Sequence, residues 1–171
     1  SIWSREFDPS TGWGALQAIQ AFVPTATTNS LQIGIDATGH ATAVWLHDPD
    51  GSSPQAAGIY ANRQAPGTAW GTPTRISGDN GFVVEPKVAV APGGLAVAVW
   101  RNAAGSLWSS QRSGSAAWLG ASQVIVSERL RRGAFQYDIA MNAGGDAIMA
   151  WRDFLNDGAT DTYAVKTKRL T

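Results

Sequence analysis

The chain has 171 residues, thirteen basic against thirteen acidic side chains, 19 glycines, eight tryptophans and no cysteine. Balanced charge removes the strong field that nucleic acid or a membrane surface would require, and the missing cysteines exclude disulfides, zinc thiolate sites and cysteine nucleophiles. No apolar run approaches the roughly 20 residues of a membrane-spanning helix, so no membrane insertion is expected, and the length suits one domain, 1–171, with a sizeable core.

In chain order the first element is "SIWSREF" (1–7), followed across "DPSTG" by "WGALQAI" (13–19). Residue 1 falls inside a strand-like segment, so no signal peptide is expected within the chain. Next come "LQIGID" (31–36), the turn "DATG" and "GHATAVW" (39–45), then "GIYANRQ" (58–64) and "WGTPTRIS" (70–77). The same order returns as "PKVAVA" (86–91), "APGG", "GLAVAVW" (94–100), "SLWSSQR" (106–112) and "WLGASQVIVS" (118–127). It returns once more as "YDIAMN" (137–142), "NAGG", "GDAIMAW" (145–151) and "DTYAVKTKR" (161–169). The alternation of side chains reads as strand throughout, and no stretch carries helical periodicity. Each four-residue turn ends in Gly, which tolerates positive φ, so the first two strands of each unit form a hairpin.

Calling the strands of one unit a, b, c and d, the chain divides into a partial c–d unit (1–20), two whole units (31–77 and 86–127) and a partial a–b–c unit (137–171). The strand-b tryptophans Trp45, Trp100 and Trp151 lie 55 and 51 residues apart. Four short strands in about 50 residues is near the period of a propeller blade. All eight tryptophans fall on repeat positions in strands b, c and d, where a large aromatic fills the space between twisted sheets. The expected fold is therefore all-β, a β-propeller of four-stranded blades with about three blades in this chain.

The turn at Asp36 to Gly39, the Gly-to-Trp strands and the "W-G-x-P" opening at Trp70 to Pro73 resemble the sialidase-like, BNR-type repeat propellers of bacterial secreted proteins. That resemblance implies a secreted, periplasmic or cell-surface location. Three blades do not readily close a ring, since typical propellers have four to eight. A six-bladed ring from two chains, a homodimer or a larger ring, is one expectation, and a longer single-chain propeller is its rival.

The groups after the strand-b tryptophans are the ligand-binding candidates: Leu46 and His47, Arg101 and Asn102, Arg152 and Asp153, beside Trp45, Trp100 and Trp151 themselves. Arginine, amide and carboxylate groups near aromatic faces suit sugars, so glycan or protein recognition is expected. No residue is assigned a catalytic role. A sialidase-type glycoside hydrolase fragment is the alternative, although its nucleophile and acid–base groups find no match here. The loop "HDPDGSSP" (47–54), with Asp48 and Asp50, and the segment "RDFLNDGATD" (152–161), with Asp153, Asp157 and Asp161, read as enlarged acidic loops. They are weak calcium candidates beside the plainer reading as turns, and no cofactor is expected otherwise. His40 and His47 fall on opposite faces of strand b. The basic run "SERLRRG" (127–133) reads as a solvated connector, and no nucleic-acid partner is expected.

Overall fold

A hairpin needs a residue that turns the chain without strain, and the three repeated turns supply one. In the computed structural model Gly39, Gly94 and Gly145 take φ of 86°, 85° and 93°. At each the Gly amide donates to the carbonyl three residues back, Asp36, Ala91 and Asn142, and the same residue's amide closes the pair on His40, Leu95 and Asp146. The structure describes residues 1–51, 56–78, 81–125, 135–156 and 161–170, of which 125, 135, 154–156 and 161–162 are described by backbone alone. The basic run 127–133 lies outside them.

The described residues form strands and turns, with every strand pairing antiparallel. The first small sheet pairs β1 (Ile2–Ser4) with β4 (Gln17–Gln20), and the short hairpin β2 (Phe7–Asp8) and β3 (Gly12–Trp13) lies between them in the chain. The sequence segments 1–7 and 13–19 are thus each broken in two. Asp8 closes the intervening turn by accepting from the amides of Ser10 and Thr11. The second sheet is a four-stranded meander of β5 (Thr27–Ile35), β6 (Ala41–Asp48), β7 (Gly58–Gln64) and β8 (Thr74–Arg75). The third repeats it with β9 (Val83–Val90), β10 (Ala96–Asn102), β11 (Leu107–Arg112) and β12 (Ser122–Ile125). The fourth has three strands, β13 (Phe135–Met141), β14 (Ala147–Asn156) and β15 (Asp161–Leu170).

One expectation needs correction here. Segment 152–161 is not an enlarged loop: Arg152 to Asn156 continue β14 and pair residue by residue with Val165 back to Asp161. The antiparallel ladder satisfies those backbone groups, and residues 157–160 lie outside the described residues.

Because side chains alternate across a strand, each middle sheet has two apolar faces. Val44, Ile59 and Ala61 of the second sheet meet Ala98 and Trp100 of the third. Val97, Val99 and Leu107 on the other side of the third sheet meet Tyr137, Ile139, Met149 and Trp151 of the fourth. Ala43, Trp45 and Trp70 on the far side of the second sheet meet Ile2 and Ile19 of the first. The four sheets therefore pack one on the next in chain order through three separate cores. The outer face of the fourth sheet stays uncovered, with Val165 of β15 79% exposed, and on the side of the second sheet that meets the first, β1 and β4 leave Ile35 of β5 66% exposed. Trp3 of the first sheet and Trp13 of the β2–β3 hairpin are exposed, so only some of the repeat tryptophans act as packing wedges.

Candidate functional site

The first strands of the last three sheets, β5, β9 and β13, lie next to one another, and each departs from regular pairing at the same place. Ser30, Glu85 and Gln136 hold φ of 56°, 55° and 47°, each six residues before the turn residue Asp36, Ala91 or Asn142. The strand register shifts at all three. A left-handed residue other than Gly costs about 1–2 kcal/mol and persists only where its surroundings hold it. Close packing holds these: an added Cβ on Gly34 of β5 would stand 2.6 Å from Val90 of β9. The Tyr137 hydroxyl of β13 donates to the carbonyl of Val84 at 3.2 Å and to that of Glu85 on β9. Burial, with the nearby Glu85 charge, pushes the Tyr137 phenol well above its usual range, so it serves as a fixed donor.

The bulge side chains meet the residues that follow the strand-b tryptophans. Arg101 lies 3.5 Å from Glu85, and Arg152 donates to Gln136 at 3.1 Å. The guanidinium of Arg152 also sits 3.9 Å above the ring of Tyr163. In the remaining copy the corresponding positions hold Ser30 and Leu46, small and apolar. An open depression of about 730 Å³ lies along these strands, lined by Ser30 and Gln32, by Glu85, Pro86 and Lys87, by Gln136 to Asp138, and by Trp151, Arg152 and Val165.

Of the sequence candidates, Arg152 and Trp151 line this depression, and Arg101 stands behind it against Glu85. The others are engaged elsewhere. Trp45 and Trp100 are fully buried in the inter-sheet cores, and Trp151 shows only a rim. Asn102 accepts the Ser106 amide at 3.0 Å and so closes its own turn. Asp153 pairs with Lys166 at 2.6 Å. His47 is buried beneath the first sheet, where Gln20 Nε2 lies 3.0 Å from its Nδ1 and 3.1 Å from its Nε2. The same Gln20 accepts from the Trp45 indole, and the Tyr60 ring lies edge-on to His47 at 4.9 Å. Burial lowers the pKa of His47, so it is a neutral core histidine. His40 stays on the turn, with Nδ1 2.7 Å from the Thr38 hydroxyl.

Asp48 accepts from the Gly51 amide at 3.1 Å, closing the turn that follows it. Asp50 sits in that same turn, Asp157 lies outside the described residues, and Asp161 is described by backbone alone. Among the described residues no three His, Asp or Glu side chains converge to hold a metal ion. A carboxylate missing from the candidate set does have a defined role: Asp36 accepts from the amides of Thr38 and His40 and from the Thr38 hydroxyl. Burial opposes its ionisation, but these donors outweigh it and hold its pKa at about 2.

The residues that sequence reasoning passed over are Ser30, Gln32, Glu85, Lys87, Gln136 and Asp138. The signal existed: aligning the units on their turns puts a polar residue six places before each. No family model matches the sequence, and no curated protein matches it.

Proposed function

We propose that the packed sheets are consecutive blades of a β-propeller, and that the chain is a non-enzymatic binding or scaffolding module that takes a glycan or protein ligand at the first strands of its sheets. The observation that carries the reading is the recurrence of a left-handed polar residue on β5, β9 and β13 beside one depression. A scaffold alone gains nothing from three strained residues, whereas a binding rim gains outward-aimed polar groups. Successive antiparallel meanders packed face to face support the propeller architecture. Either a second copy or further blades in the same chain would complete the ring and cover Ile35 and Val165. The resemblance to sialidase-like repeats supports a location outside the bacterial cell for such a module.

The glycoside hydrolase alternative would draw on Tyr137 beside Glu85. That phenol is buried, donates to backbone carbonyls and titrates high, the reverse of an activated nucleophile. Two measurements test the proposal. Turnover of a fluorogenic sialoside that is lost in Tyr137→Phe overturns the non-enzymatic reading. A compact monomer of 18.0 kDa by light scattering overturns the two-chain ring.

A further inference from the structure

We infer that the depression between β9 and β13 is a subsite for a neutral saccharide, an inference that rests on the ligand-binding reading above and assigns its location and chemical class. Its volume of about 730 Å³ lies within the range of small-molecule sites. A hydroxyl-rich ligand both donates and accepts, so its site must offer both kinds of group over a short distance. Here Gln136, Asp138, Arg152 and Lys87 all line the depression, an amide, a carboxylate, a guanidinium and an ammonium. Arg152 is held in place on two sides, by Gln136 at 3.1 Å and by the Tyr163 ring at 3.9 Å, and among the described residues no carboxylate pairs with it. It is thus an oriented donor with little ordering left to lose on binding. Val165, 79% exposed, adds apolar surface on which the C–H face of a sugar ring can rest.

Charge selects the class. The lining carries two carboxylates, Glu85 and Asp138, and two cations, Lys87 and Arg152, which cancel. No field within the depression draws in an anion, and an acidic ligand would face both carboxylates at close range. The absence of clustered, like-signed cations equally disfavours a phosphate.

The test uses an array of neutral and acidic oligosaccharides, followed by calorimetric titration of the tightest binder into the wild type and variants of unchanged melting temperature. Neutral oligosaccharides bind, and Arg152→Gln and Asp138→Asn each weaken them about tenfold or more, the scale of losing a charge-assisted hydrogen bond. Lys168→Gln, on the opposite face of the fourth sheet, leaves affinity unchanged. Silence across the array overturns glycan binding itself, and the subsite with it. Binding that survives both depression variants overturns the subsite and leaves a binding module with its site elsewhere. Binding of acidic oligosaccharides alone overturns the neutral class.

Discussion

Trp45 and Trp100 occupy the same repeat position and are both fully buried, yet they live in different surroundings. Trp100 is enclosed between two four-stranded sheets by Val44, Ile59, Ala61, Val83 and Ala98, and its indole nitrogen is buried with no partner among the described residues. Trp45 is covered by two short strands, β1 and β4, and its indole nitrogen donates to Gln20, which also reaches His47. The difference traces to one residue of the preceding sheet. Gln20 stands seven places after Trp13, and its counterpart seven places after Trp70 is Ser77. Ser77 is too short to reach an indole and instead accepts the Ile59 amide at 3.1 Å. The repeat therefore sets the shape of each seam, while a single neighbouring side chain decides whether the seam is dry or polar.

The sharpest way to break that contrast is to remove the indoles. Trp100→Ala leaves a cavity between two complete sheets and is expected to cost about 3–5 kcal/mol, read as a fall in the urea midpoint of the whole chain. Trp45→Ala is expected to free β1 and β4 first, seen as early proteolysis near the N-terminus ahead of global unfolding. Replacement by Phe isolates the polar difference. Trp100→Phe removes a nitrogen that has no partner, whereas Trp45→Phe strands the Gln20 carbonyl oxygen in a buried site. Trp45→Phe should therefore be the costlier change by about 1–3 kcal/mol, and equal losses would refute the distinction.

Acid probes the same seam without mutation. His47 has a pKa lowered from 6.5 by burial, so the unfolded chain takes up a proton before the folded one does. Stability from the neutral imidazole is complete above about pH 6.5 and declines as the pH falls below it. The Gln20 amide group, held by the Trp45 indole, can donate to a neutral ring nitrogen but opposes an imidazolium that carries two N–H groups. Of the charged groups near His47, Asp48 favours the proton and the N-terminal ammonium disfavours it. Hydrogen-exchange protection in β1 and β4, taken relative to the intrinsic amide rate at each pH, should fall from pH 7 to pH 5 in the wild type and stay flat in His47→Gln, while the Trp100 seam is unaffected. A separate loss belongs to Asp36, whose folded pKa of about 2 lies below the 3.8 of an ordinary Asp carboxyl. Its turn keeps full stability above about pH 4 and gives it up as the pH falls through 2.

Much of the strand order was legible in the sequence because Gly-terminated turns and two-residue alternation are local signals. "DATG", "APGG" and "NAGG" place their hairpins, and Trp45, Trp100 and Trp151 mark the buried strand between them. Arg152 was singled out by its fixed distance from a tryptophan, and it lines the depression. The Gln20, Trp45 and His47 cluster was not, since it joins strands 25 to 27 residues apart across two sheets. Nor was the strand character of Arg152 to Asn156, where polar residues conceal a continuing backbone ladder. Ser30, Glu85 and Gln136 were not recognised as a repeated position because a bulge shifts the alternation by one residue and leaves no turn residue behind to mark it.

The bulges give the finest test of what separates rim from scaffold. Gly67 has φ of 69° with nothing within 4 Å of an added Cβ, so Gly67→Ala measures the conformational cost alone, about 1 kcal/mol of destabilisation. Ser30→Gly runs the same exchange backwards at φ 56° and should stabilise by about 0.5 kcal/mol, the relief of strain being partly offset by the freer unfolded chain. Glu85→Gly releases the same strain but loses the ion pair with Arg101, whose glutamate is more than half exposed and therefore contributes little, so a change near zero is expected. If thermal melts show Ser30→Gly and Glu85→Gly stabilising equally, the pairing of bulge residue with strand-b arginine is incidental. If Glu85→Gly is the weaker of the two, the second position of strand b and the bulge of strand a act as a coupled pair, set to apolar and small in one unit and to charged in the next.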